Sequence, residues 1–177
     1  MAQFTAGTWK IDPTHSEIGF SVRHLMSKVR GKFEEFEGEI VTDESGLGSI
    51  ASATIQLSSV NTGTEDRDNH LRSSDFFSVE ETPVMTFRST GVRDKGDCYV
   101  ALGDLTIRGV TKPVELEVDV LGEGGDPWGG TRMGLEATTE ISRKEFGIDF
   151  NIPVSGDKVM IGDKVAIQLN VQAVLEA

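Results

Sequence analysis

The sequence predicts an all-β fold, an eight-stranded antiparallel barrel with one short helix at an end, and three observations carry that reading. Apolar and polar residues alternate with period two along most of the chain, which makes strands with one dry and one wet face. The breaks between alternating runs are short and rich in Gly, Asp, Ser and Pro, so consecutive strands join as hairpins rather than through crossovers. One segment alone departs from the strand period and carries helix signals. A two-sheet sandwich would alternate in the same way; closure is preferred because it leaves no exposed strand edge.

Taken in order, the first run places Ile18, Phe20, Val22 and His24 on one face, with Gly19, Ser21 and Arg23 opposite. The second spans 30–42. Ala51, Ala53, Ile55 and Leu57 alternate with Ser52, Thr54 and Gln56, and Met85 and Phe87 with Thr86 and Arg88. Tyr99, Ala101, Gly103, Leu105 and Ile107 form the fifth set. The cleanest is the sixth, where Val114, Leu116, Val118 and Val120 are separated by Glu115, Glu117 and Asp119. Met133, Leu135, Ala137 and Ile141 follow, and Val165 to Leu175 closes the chain. Turn residues mark 43–46, 95–97, 108–113 and 122–130. The helix starts at Thr64, a good N-cap, with acids in its first turn where the helix dipole favours them. Asp68 and Arg72 stand at the stabilising i,i+4 spacing. With Leu71 its one large apolar residue before Phe76 and Phe77, this helix is either a lid over a barrel end or a solvated connector.

Composition bounds the function. At 177 residues the chain forms a single domain, 1–177, and 37% hydrophobic residues suffice for a core. A net charge of −12 argues against nucleic-acid binding and against attachment to anionic lipid through a polybasic face. Cys98 is alone, which excludes an internal disulfide and a multi-cysteine zinc site. Residues 1–11 lack a basic start followed by an apolar run, so a cytoplasmic protein is expected. The longest charge-free stretch, 45–64, is too polar to span a membrane. A homodimer is compatible with all of this.

Enzyme signatures are missing: there is no Gly-x-Ser-x-Gly elbow, no phosphate-binding Gly-x4-Gly-Lys-Ser/Thr loop and no His-Glu-x-x-His. In the glycine-rich 122–130 stretch Pro127 stands where a dinucleotide fingerprint needs glycine, so it reads as a hairpin loop. Asp66-Arg67-Asp68 opens like a calcium loop, but Leu71 replaces the required glycine. His15, His24 and His70 match no ligand spacing, and no metal or other cofactor is expected. Cys98 has no base beside it to activate the thiol. What remains is a container. Ala51, Ala53, Ala101, Gly103, Ala137 and Ala173 recur on inward positions, and such small residues either leave the lumen partly empty or merely suit barrel curvature.

Five motifs carry a resemblance: Asp12-x-x-His15-Ser16-x3-Phe20-x3-His24, then Gly31-x-Phe33-x-x-Phe36-x-Gly38; Arg67-Asp68-x-His70-Leu71-x-Ser73-x-Asp75-Phe76-Phe77 with Pro83 beyond it; Leu105 to Val114; and Arg143 to Gly147. In this order they resemble the YceI-like family of lipocalin-like bacterial proteins, from about residue 8 to the C-terminus. The resemblance implies an extended barrel with an apolar lumen for long-chain lipids, notably polyisoprenoids and fatty amides, and a carrier or store rather than an enzyme. Many members are exported. From the inward pattern, Phe20, Val22, Phe33, Ile55, Leu57, Phe87, Leu105 and Leu116 are expected to line the tunnel, with Arg67, His70, Arg72 and His24 at the ligand's polar head. The rival readings are an enzyme acting on such a lipid and a structural or partner-binding barrel with a filled core.

Overall fold

The computed structural model describes residues 4–154 and 159–177. Its strands are β1 (Gly7–Ile11), β2 (Glu17–His24), β3 (Ser27–Phe33), β4 (Phe36–Thr42), β5 (Ile50–Gln56), β6 (Val60–Asn61), β7 (Val84–Asp94), β8 (Tyr99–Ile107), β9 (Val110–Gly125), β10 (Thr131–Ser142) and β11 (Ile161–Leu175). The helix α1 (Glu65–Arg72) lies between β6 and β7. Every strand pairing is antiparallel, and the ring β1-β4-β5-β7-β8-β9-β10-β11 closes through β1 and β11 as an eight-stranded barrel. The remaining three segments prolong members of that ring: β2 continues the course of β1 along β11, β3 precedes β4 and pairs with β2, and β6 continues β5 beside β3.

The period-two runs all become strands, and the differences lie at their ends. The single run expected over 30–42 is two strands broken at Glu34-Glu35, where the Glu34 N–H turns to the Ser59 hydroxyl. Gly7–Ile11 is a further strand, too short for its alternation to stand out. The turn expected at 108–113 contracts to Arg108-Gly109, both at positive φ (54° and 75°), the twist that suits a two-residue hairpin. Pro113 therefore sits inside β9, opposite Asp104. It is tolerated because β9 pairs with β10 only from Glu117 onward, so one edge of the strand has no ladder to lose there. At 122–130 the hairpin reading holds: Asp126 accepts from the N–H groups of Trp128 and Gly130 and from Arg132 Nε.

The expected Asp68–Arg72 pair does not form. Asp68 is buried and accepts from the Thr62 N–H (2.8 Å) and hydroxyl (2.6 Å), while Arg72 donates to the carbonyls of Ser58 and Val60. These four bonds fasten the helix to the barrel wall, where a buried acceptor and bare carbonyls need partners more than two charges on one helix need each other. The core has two parts. The larger gathers Phe33, Phe36, Ile55, Leu57, Leu105 and Phe146 with their neighbours, and the smaller gathers Trp9, Met133 and Ala173.

Candidate functional site: a two-chambered apolar lumen

Two cavities lie inside the barrel. The first, of about 160 Å³, opens toward the β4–β5 turn and is lined by Ala51, Ala53, Phe87, Ala101, Leu116 and Ala137 among others. Four of these are alanines at inward strand positions, which leaves the lumen unfilled there. Phe4 also lines it, edge-on to Tyr99 with ring centroids 5.8 Å apart and packed against Gly46, whose missing Cβ makes the room. The second chamber, of about 220 Å³, lies at the α1 end. Phe20, Val22, Val29 and Phe33 form one wall, Leu71, Phe76 and Phe77 another, and Ile141, Val165 and Ile167 a third. Cavities with such largely apolar linings are suited to apolar guests.

The chambers abut along the barrel. Met85 faces the second and Phe87, the next inward residue of β7, faces the first; Ile167 and Leu169 divide in the same way on β11. This corrects the expectation of one open tunnel lined by all eight named residues. Phe20, Val22 and Phe33 front the second chamber, and Phe87 and Leu116 the first. Ile55, Leu57 and Leu105 front neither: they are buried in the main core cluster, packed side chain to side chain.

Of the expected polar residues, His24, Arg67 and His70 all reach the second chamber and Arg72 does not. Residues advance about 100° each around a helix, so Arg67 and His70 share a face and Arg72 is turned well away from it. Arg67 donates from Nε to the Thr62 hydroxyl and from Nη2 to its carbonyl, both at 2.7 Å. The His70 ring lies edge-on between Phe76 (5.0 Å) and Phe150 (4.8 Å), with Nε2 2.8 Å from an Asp75 carboxylate oxygen. The α1 segment is thus a wall of the chamber, and Phe76 anchors it in the core.

Arg143 completes the polar lining and was not foreseen as a site residue. It is buried, and it donates from Nε to Gly162 O, from Nη1 to Ile148 O and Phe150 O, and from Nη2 to Ile161 O. Burial lowers its pKa, opposed by Asp163 and Asp149. By gathering four carbonyls it shapes the irregular stretch that supplies Phe146, Ile148, Phe150 and Ile152 to the chamber. The sequence holds a signal there: Phe146, Ile148, Phe150 and Ile152 alternate with period two, although the structure forms no strand from them. Among the described residues, the second chamber's lining thus carries two arginines and two histidines and no carboxylate.

Elsewhere, His15 Nδ1 and Arg132 Nη1 meet Asp12 Oδ2 at 2.7 and 2.8 Å, and Arg132 Nε binds Asp126 at 2.9 Å. The Asp12 carboxyl is held well below the usual range by the Thr14 hydroxyl and Arg132. Loss of hydration and the neighbouring Asp97 and Glu117 push the Cys98 thiol up, which leaves it a poor nucleophile at neutral pH. Among the described residues no three His, Cys, Asp or Glu side chains gather as a metal site, and no helix is long and apolar enough to cross a membrane.

Comparison with known proteins agrees with this architecture. The family model described as the YceI-like domain matches residues 9–173. A UPF0312 protein of Photorhabdus laumondii is 44% identical over 145 residues, covering 80% of this chain and 76% of its own. Burkholderia cenocepacia BcnA superimposes with a TM-score of 0.81 at 22% identity, over 92% of this chain and 98% of BcnA. A polyisoprenoid binding domain from Saccharophagus degradans, implicated in plant cell wall breakdown, gives a TM-score of 0.71 at 18% identity over 97% of this chain and all of that one. At those two identities the likeness establishes the shared fold.

Proposed function

The chain belongs to the YceI-like family, and from that premise we propose that it binds and carries or stores an elongated apolar ligand of the polyisoprenoid or fatty-chain class. The observation that carries the proposal is the pair of abutting apolar chambers. A ligand with a long flexible tail would occupy both, passing the Phe87 ring at their junction. Its driving force is apolar burial, roughly 25 cal/mol for each Å² removed from water. A polar or anionic end group would lie in the second chamber, where Arg67 and Arg143 supply positive charge and His24 and His70 share the lining. The polyisoprenoid bound by the Saccharophagus domain is of this ligand class, though the chambers carry the reading.

Binding rather than catalysis is the reading because three of the four ionisable side chains described in the chamber's lining bond to the protein itself. Arg67 is bonded to Thr62, His70 to Asp75 and Arg143 to main-chain carbonyls, an arrangement that positions walls and a charged end group. Mass spectrometry of an organic extract of the purified protein is expected to find a bound long-chain lipid. If the extract is empty, a polyprenyl alcohol or phosphate added at a hundredfold its Kd should stabilise the fold by about 2.7 kcal/mol, or about 5–10 °C in Tm. No extracted lipid together with no shift from any polyprenyl or fatty-chain compound would overturn the proposal.

A further inference from the structure

We propose that the end of the barrel carrying the β2–β3 hairpin docks onto an anionic lipid bilayer, with Leu25 and Met26 entering the interface. The hairpin is anomalous in a chain with 17 Lys and Arg against 29 Asp and Glu: residues 18–33 contain Arg23, Lys28, Arg30 and Lys32 and not one acid. All four cations lie exposed on the outer face, while the inward face lines the second chamber. Arg23 stands directly across from Lys28 in the strand register, a like-charge pairing that opposes the hairpin. Among the described residues none of the four belongs to an ion pair, as is also true of Arg88, Lys112 and Lys144; the hairpin differs in gathering four such cations with no acid among them. A cluster of cations with no ion-pair partner among the described residues is matched by a surface of phosphates. The net charge of −12 hides it because a sum over the chain says nothing about one hairpin.

The tip supplies the apolar half. Met26 is fully exposed and Leu25 is 51% exposed. Leu25 adopts a left-handed φ of 57°, a conformation a leucine rarely takes. Its N–H donates to Met160 O at 2.8 Å, which joins the tip to a second exposed apolar group, Ile152, Val154 and Val159. His24, Ile152 and Met160 line the second chamber beside this rim. Apolar groups ringing a cavity mouth, next to unpaired cations, fit a bilayer in two ways: insertion of a few side chains, and attraction by anionic headgroups worth roughly a fivefold gain in partitioning per cation. The same placement would open the chamber toward the acyl phase. Docking is a property of the surface and stands apart from the proposed ligand.

The test is co-sedimentation of the full chain with vesicles that contain no polyprenyl compound. Vesicles of phosphatidylcholine mixed with phosphatidylglycerol should bind at least tenfold more protein than phosphatidylcholine alone, and the excess should vanish near 0.5 M salt, where the Debye length is only a few Å. Leu25→Asn with Met26→Ser should reduce binding at least tenfold; asparagine is chosen because it tolerates the left-handed backbone. Lys28→Glu with Arg30→Glu should abolish the phosphatidylglycerol dependence. Lys95→Glu, a cation paired with Glu117 on the β7–β8 hairpin, should leave binding within about twofold. Thermal melts of each variant check that it is folded, and these sites are exposed enough to accept the changes. Absence of binding by the parent chain, equal binding to both vesicle types, or unchanged binding by the hairpin variants would overturn docking. So would a hairpin that instead mediates pairing of two copies, seen as self-association lost in the Met26→Ser variant without vesicle binding.

Discussion

At Gly103 a Cβ would lie 2.5 Å from the Phe87 ring, and at Gly31 equally close to the ring of Phe20 across the strand pair. These glycines make room for aromatic rings that lie over the strand, and Ala173, fully buried against Trp9 and Met133, packs for shape as well. Ala51, Ala53, Ala101 and Ala137 differ: beyond their methyl groups lies the first chamber. Small residues in one inward row therefore fill space in some places and leave it empty in others. Ala101→Phe is expected to place its ring in the chamber, cost less than about 1 kcal/mol in chemical denaturation, and abolish the thermal shift given by a polyprenyl ligand. Leu57→Ala, in the closed core, should cost about 2–5 kcal/mol. A loss of 3 kcal/mol or so in Ala101→Phe with ligand uptake intact would mean that the chamber is not where the ligand binds.

Among the elements, the 143–162 stretch depends most on one side chain. From Arg143 to Ile152 no strand forms, although the apolar residues alternate, and the carbonyls of Ile148, Phe150, Ile161 and Gly162 converge on the Arg143 guanidinium. Arg143→Met should leave these acceptors without their donor and destabilise the fold by about 2–4 kcal/mol. Arg143→Lys retains the charge but not the planar fork, so urea denaturation should find it nearer the Met variant than the parent. Full recovery by lysine would show that charge alone organises the segment. The junction between chambers is governed by β7. Phe87→Ala should merge the two cavities and raise affinity for longer polyprenyl chains relative to shorter ones, measured by competition; an unchanged chain-length preference would mean that the ring does not divide the ligand site.

For the whole molecule, acid stability reports on the link between β1, the 126–130 turn and β10. Asp12 is depressed by the Thr14 hydroxyl and Arg132, and Asp126 by the Gly130 N–H, with Arg132 adding to it. A carboxyl with a folded pKa below its unfolded one stabilises the fold fully above about pH 4, its ordinary range, and loses that contribution as pH falls toward the folded value. Thermal melts should thus show the parent more stable than Asp12→Asn at pH 6, with the gap closing steadily below pH 4. A gap that stays constant down to pH 2 would assign the aspartate's effect to shape rather than charge.

The strands and the helix were legible because each rests on local chemistry: alternation from Tyr99 to Val120, turn residues around 43–46 and 126–130, acids after Thr64. The YceI-like resemblance was legible too, since it lies in motifs spread along the chain and needs no contact to be read. Arg67 and His70 could be placed together because a helix sets their spacing. What only the tertiary structure decided is whatever depends on distance across the barrel. Ile55 and Leu105 have the same inward periodicity as Ala53 and Ala101, yet the first pair is packed and the second fronts a cavity. Arg143 joins the site through carbonyls up to 19 residues away, and Arg72 leaves it for two others. Alternation tells which side of a strand faces in; how much space lies there depends on the side chains opposite, and those come from strands remote in sequence.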